Sequence, residues 1–151
     1  MTHQRTLTLA RAGTMSVPLT RQAIDLGIVT TNGPAMLAFY RDVLGLKYLR
    51  EMVLSEGIGI MHQMACGDSI IKLIVVESTP MGAPPGGVQG AAGYRYWTMP
   101  VRDIKPLLQK CQAGGHRIVV SEREMRPGVR ISMVADPDGN WVEFLAIGPG
   151  A

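Results

Sequence analysis

The sequence predicts an α+β fold made of two βαβββ modules, whose curved mixed sheets enclose a cavity. Three observations lead there. The order strand–helix–strand–strand–strand is written twice along the chain. An offset of 71 residues superposes the copies, laying Leu26 on Trp97, Asn32 on Asp103, Leu37 on Leu108 and Tyr40 on Cys111. A repeat of this kind constrains architecture more than any single element does. Finally, 151 residues with 46% hydrophobic content suit one domain with a substantial core.

The first module is expected over residues 23–77. Residues 23–31 (AIDLGIVTT) are apolar and β-branched, which predicts a strand ended by Asn32-Gly33-Pro34. Asn32 is placed to cap a helix with Pro34 in its first turn. Met36, Phe39, Tyr40 and Val43 follow at helical spacing, and Gly45 stands at the stop position. Lys47–Met52, Ile58–Ala65 and Ile70–Glu77 then read as three strands. Cys66-Gly67-Asp68-Ser69 supplies the turn before the last of them.

Residues 78–93, rich in Gly, Pro and Ala, form a linker or loop, and the pattern restarts over 94–148. Tyr94–Val101 predicts a strand and Asp103 a helix cap. Ile104, Leu107, Leu108 and Cys111 give that helix its apolar stripe, and Gly114-Gly115 ends it. Ile118–Val120, Val129–Val134 and Trp141–Ile147 complete the second set of strands. Asp136-Pro137-Asp138-Gly139-Asn140 makes a strong turn before the last. Residues 1–22 are left over as an N-terminal arm.

Several function classes are disfavoured by composition. Net charge is +3, and Arg50, Lys72, Arg95, Lys110 and Arg130 are scattered, so no nucleic-acid surface is expected. No apolar run is long enough to span a bilayer, and the first 20 residues lack the apolar stretch of a secretory signal. Two cysteines, Cys66 and Cys111, make no disulfide framework, so thiols and a cytoplasmic setting are expected. The pairs Gly86-Gly87 and Gly114-Gly115 lack the strand–glycine–helix context of a phosphate loop.

Two stretches are distinctive: Leu37-Ala38-Phe39-Tyr40-Arg41-Asp42-Val43-Leu44-Gly45-Leu46 and Asp136-Pro137-Asp138-Gly139-Asn140-Trp141-Val142-Glu143-Phe144. With the doubled element order, they resemble the vicinal oxygen chelate superfamily over residues 23–148. That superfamily includes glyoxalase I, methylmalonyl-CoA epimerase, extradiol dioxygenases, and fosfomycin- and bleomycin-resistance proteins. These motifs specify a fold far better than a function. The resemblance implies a homodimer and a metal held by one ligand from each of four strands, typically His or Gln, Glu, His and Glu. Counted from the two motifs, those positions fall on Asp25, Lys72, Tyr96 and Glu143. Only Glu143 matches. A lysine ammonium cannot donate to a metal and repels it, so no metal cofactor is expected. A register slip placing Glu77 inward in place of Lys72 would reverse that expectation.

Asp25, Lys72, Tyr96 and Glu143 can be read as a residual salt-bridge network. They can also be read as an acid–base site. Glu143 or Asp25 would then take a proton next to a carbonyl, while Lys72 and Tyr96 stabilise the oxyanion. Strand alternation groups Tyr94 and Thr98 with Tyr96, and Trp141 and Leu145 with Glu143, while Trp97 and Met99 point the other way. His62, Tyr94, Trp141 and Leu145 are thus expected to edge a pocket for a flat or hydrophobic organic molecule, provided that His62 faces inward. His116 and His3 fall in a loop and in the arm. Three functions follow in order of preference. The first is a metal-independent isomerase, epimerase, lyase or cyclase acting on a carbonyl-bearing molecule. The second is a small-molecule sequestering protein, as the resistance relatives are. The third is a metal-dependent glyoxalase or dioxygenase-like enzyme.

Overall fold

The computed structural model describes residues 16–149. Most of the predicted N-terminal arm, residues 1–15, lies outside the described residues. The elements run β1 (Leu26–Thr30), α1 (Gly33–Leu37) continuing directly into a π-helical turn (Ala38–Val43), β2 (Lys47–Val53), β3 (Gly59–Cys66), β4 (Ser69–Val76), a short helix α2 (Gly87–Gly90), β5 (Tyr96–Pro100), α3 (Lys105–Ala113), β6 (Ile118–Arg126), β7 (Val129–Ala135) and β8 (Trp141–Ile147).

The strands form two four-stranded sheets, ordered β1-β4-β3-β2 and β5-β8-β7-β6. In each, the edge strand before the helix runs parallel to the module's last strand, and the remaining pairs are antiparallel. The parallel registers are the same in both: Leu26 lies opposite Ile71, and Trp97 opposite Val142. The 71-residue offset is therefore a property of the backbone pairing as well as of the sequence.

Each sheet carries a helix on one face. Met64, Ile71 and Leu73 of the first sheet and Met99, Val134, Val142 and Phe144 of the second are buried in one cluster with Met36, Phe39, Tyr40, Ile104 and Cys111. The two modules thus share one core, in which each fully buried large apolar side chain contributes about 1.5–3 kcal/mol. Alternation sends the neighbours of these residues to the opposite, open face.

Three local expectations need correction. The first helix is not α-helical throughout. Leu44 N–H donates to Phe39 O (2.9 Å), an i to i−5 bond, and Leu46 N–H donates to Tyr40 O (3.1 Å). This wider turn accommodates two consecutive aromatic residues, Phe39 and Tyr40, which are both fully buried and meet edge to face at 4.9 Å. Asn32 does not cap this helix with its side chain; Thr30 Oγ1 instead accepts the Asn32 N–H (2.8 Å). At α3 the N-cap position is Ile104 rather than the expected Asp103, which stands one residue earlier and whose Oδ1 accepts the Lys105 N–H (3.1 Å).

The two distinctive stretches meet in a buried contact. Tyr40 Oη donates to Asp136 Oδ2 (2.7 Å) across 96 residues of sequence. Asp136 Oδ1 accepts the backbone N–H groups of Asp138 (3.0 Å) and Asn140 (2.9 Å), and its Oδ2 accepts from Asn140 Nδ2 (2.9 Å). Burial, reinforced by the Asp136 charge, pushes the Tyr40 phenol well above its ordinary pKa and keeps it a donor. Burial also raises the Asp136 pKa, opposed by the hydrogen bonds it accepts. These motif residues latch one module to the other.

The linker is partly ordered by a single side chain. Arg95 Nε donates to Gly87 O (2.6 Å), and its Nη2 to Pro84 O (2.6 Å) and Pro85 O (3.2 Å). This brings α2 onto the Trp141 ring. Gly87, at φ +56°, has no room for a side chain, since a Cβ there would lie 2.2 Å from the ring.

Candidate functional site

The edge strands β1 and β5 flank a cavity of about 720 Å³, lined largely by apolar and aromatic groups including Leu26, Ile71, Tyr94, Tyr96, Trp97 and Pro100. Asp25, Ser69 and Thr98 add polar atoms to its wall. A smaller cleft of about 290 Å³ continues between the same strands toward Trp141. The size suits a small organic molecule.

The predicted site residues divide by face. Lys72 pairs with Gly27 across β1 and β4, and Glu143 pairs with Thr98 across β5 and β8. Both charged residues lie on the open face of their sheets, at positions related by the 71-residue offset. Asp25 and Tyr96 are related in the same way, two residues before Gly27 and Thr98. Tyr94, Trp141 and Leu145 also lie on the cleft side or open side of the second module. Tyr94 is fully exposed, while Trp141 and Leu145 are partly buried.

His62 is not with them, which corrects the expected pocket edge. It stands opposite Leu73 and therefore on the helix-bearing face. There its Nδ1 lies 3.0 Å from Tyr48 Oη and 3.9 Å from Glu51 Oε2. Glu77 does not replace Lys72. The β3–β4 register runs without a bulge from Cys66 opposite Ser69 to Gly59 opposite Val76. Glu77 follows β4 and lines a separate cavity of about 410 Å³ with His62 and Leu37.

The carboxylates have different surroundings. Asp25 is held by Arg21 Nη2 at 2.6 Å from both oxygens, by Ile70 N–H at 3.0 Å, and by Lys72 Nζ at 3.5 Å. Arg21 also donates to the Asp68 carbonyl. The Arg21 hydrogen bonds, opposed by partial desolvation and aided by the Ile70 N–H, hold the Asp25 carboxyl below its ordinary pKa. Such a carboxylate is a weak base. Glu143 receives one hydrogen bond, from Thr98 Oγ1 to Oε1 (2.7 Å), and its second oxygen has no hydrogen-bond donor among the described residues. Glu143 is thus the more available of the two.

Three residues of this region were not among the candidate site residues read from the sequence: Arg21, Gln63 and Arg50. Thr98 was placed on the face of Tyr96, but its bond to Glu143 was not foreseen. Gln63 is opposite Lys72, and Arg50 is opposite Gln63. The Gln63–Lys72 pairing follows from the two-residue turn at Gly67-Asp68 and could have been counted. Arg50 could not, because a bulge between Tyr48 and Arg50 shifts the register.

The model of the Glyoxalase/Bleomycin resistance protein/Dioxygenase superfamily matches residues 22–144. The chain belongs to this superfamily. Among solved structures, a glyoxalase family protein from Bacillus cereus is similar at TM-score 0.72 and 18% identity, covering 91% of this chain and 99% of that one. Glyoxalase I from Zea mays is similar at TM-score 0.69 and 15% identity, covering 82% of this chain and 44% of that one. A glyoxalase family protein from Enterococcus faecalis is similar at TM-score 0.61 and 24% identity, covering 82% and 92%. At these identities the likenesses establish the fold. No curated protein matches the chain. No helix among the described residues is long and apolar enough to cross a membrane.

The metal implied by resemblance to the superfamily does not fit these residues. Lys72 has no lone pair to offer when protonated, and Asp25 is already engaged by two cations and a backbone N–H. Among the described residues, no three His, Cys, Asp or Glu side chains are grouped closely enough to hold an ion.

Proposed function

We propose that this superfamily member is a metal-independent enzyme that moves a proton next to the carbonyl of a small organic molecule, as an isomerase, epimerase, lyase or cyclase does. One observation carries the reading: the symmetry-related positions 72 and 143 bear a cation and a carboxylate, both on the open face of their sheets. Glu143 accepts the proton from carbon, and the electron pair moves onto the carbonyl oxygen. Lys72, with Tyr96 beside the cleft, stabilises that oxyanion. Return of the proton to carbon completes an isomerisation or epimerisation. Loss of a leaving group from the adjacent carbon completes an elimination. Asp25 positions Lys72 through their 3.5 Å contact, and Thr98 positions Glu143.

The test is solvent deuterium incorporation into carbonyl compounds, followed by NMR. Glu143→Gln is expected to slow incorporation by roughly 10²-fold or more, the usual contribution of a general base, while binding persists. Incorporation no faster than without protein would instead favour a sequestering role. The apolar and aromatic lining of the cleft supports that second reading.

A homodimer is part of the proposal. Val53 and Ile60, paired across β2 and β3, are large apolar residues left exposed on the face of the first sheet opposite to Lys72, and a second copy would cover them. Sedimentation equilibrium tests this, and a monomer at micromolar concentration would refute it. The free thiols of Cys66 and Cys111 support a cytoplasmic setting.

A further inference from the structure

Lys72 does not stand alone on the open face of the first sheet. A row crosses it from strand to strand: Arg50 on β2, Gln63 on β3, Lys72 on β4 and Gly27 on β1. Gln63 is only 7% exposed. Its Oε1 accepts from Arg50 Nε (3.0 Å), fixing the guanidinium plane. Its Nε2 meets only the thioether sulfurs of Met52 (3.6 Å) and Met61 (3.5 Å), which are weak acceptors. A buried amide with a poorly satisfied donor is poised for a better acceptor. Among the described residues, the terminal nitrogens of Arg50 make no hydrogen bond. At the other end of the row a Cβ on Gly27 would touch nothing within 4 Å, so the sheet is open there.

Arg50 and Lys72 sit on strands flanking β3, so their Cα atoms are roughly 10 Å apart. Their side chains are long enough to converge above Gln63. Of the charged groups on or beside this face, Arg21 and Asp25 neutralise each other, and Lys72 is shared with Asp25. Among the described residues, Arg50 remains as a cation without a carboxylate partner. We infer that the Arg50–Gln63–Lys72 row is a carboxylate subsite, making the substrate an organic acid. This deepens the acid–base reading and rests on it for the fate of the carbonyl. The guanidinium offers paired N–H donors to the carboxylate, the Gln63 Nε2 gains an oxygen acceptor, and Lys72 stands between the bound carboxylate and the reacting carbonyl.

Binding of phenylpyruvate and of its uncharged methyl ester to the full chain, followed by NMR titration, tests the subsite. The acid is expected to bind at least tenfold more tightly than the ester. Arg50→Met is expected to bring the two within about twofold by weakening the acid alone. Unchanged ester binding reports that the variant is folded, because Arg50 is exposed. In the unsubstituted protein, high salt is expected to reduce the preference without any substitution. Equal affinity for acid and ester, a preference that survives Arg50→Met or high salt, or failure of the acid to saturate at millimolar concentration would each overturn the subsite. The two readings fail separately. A retained acid preference with no deuterium incorporation overturns only the proton transfer. Equal affinities with Glu143-dependent incorporation overturn only the subsite.

Discussion

The first sheet carries Arg50, Gln63, Lys72 and Gly27 in a row across its open face, and the second carries Val120, Met133, Glu143 and Thr98 in the equivalent row. The backbones agree in strand order and in the register of the parallel pair. The side chains do not. One row is cationic and polar; the other is apolar apart from a carboxylate and its hydroxyl partner. Backbone pairing and the shared core constrain the helix-bearing faces, so Leu73 and Phe144 are equally buried. The open faces carry no such constraint, and there the side chains of the two halves differ.

The largest expected effect tests that difference. Lys72→Met removes the cation while keeping the stem, and is expected to slow deuterium incorporation by about 10²–10³-fold, the usual cost of losing an oxyanion donor. An unchanged rate would mean that the charge difference between the rows is incidental. The next test concerns what the halves share. Phe144→Ala is expected to cost about 3–5 kcal/mol and Leu73→Ala about 2–5 kcal/mol. Because one core serves both modules, either variant should unfold in a single transition. Two transitions by denaturant titration would show that the modules are independent.

A smaller effect is expected at the latch. Tyr40→Phe removes a hydrogen bond to a buried carboxylate, worth about 1.5–3 kcal/mol. That bond lowers the Asp136 pKa against the rise caused by burial, so its loss raises the pKa further. Protonated Asp136 loses less from the substitution than ionised Asp136 does. The stability difference should therefore shrink as pH falls through the Asp136 titration and be full at neutral pH. Thermal melts across that range measure it; a difference that grows in acid would have the wrong sign. The smallest effect is expected at Asp25→Asn. The Asp25 pKa is depressed, so its contribution is present above the ordinary carboxylate range and disappears as pH falls through the lowered value. The variant should match the parent in acid and be slightly less stable at neutral pH.

The same contrast explains how much could be read from the sequence. The order of elements along the chain and its repetition in two modules were legible because alternation and turn residues fix them locally. The register at β4 was open between Lys72 and Glu77 until the unbroken hairpin with β3 was seen. The side occupied by His62 depends on the phase of β3, and its pairing with Leu73 puts it on the helix-bearing face. Arg50 was hidden by a bulge. The functions of Tyr40 and Asp136 were illegible because their partners lie 96 residues apart, and nothing local distinguishes a motif that holds a fold from one that performs chemistry. Arg21 was equally hidden, since its partners Asp25 and Asp68 meet only once β1 and β4 are paired.

The bond between Tyr40 and Asp136 also has a consequence in time. During synthesis a chain emerges at about 5–20 residues per second. Tyr40 leaves the ribosome with its partner still 96 residues away, a wait of roughly 5–20 seconds at that pace. Through that interval the nascent first module must keep a phenol and the adjacent Phe39 ring without the surfaces that will later cover them. The growing chain is then most exposed to misassociation, and a cut between the modules would make that exposure permanent.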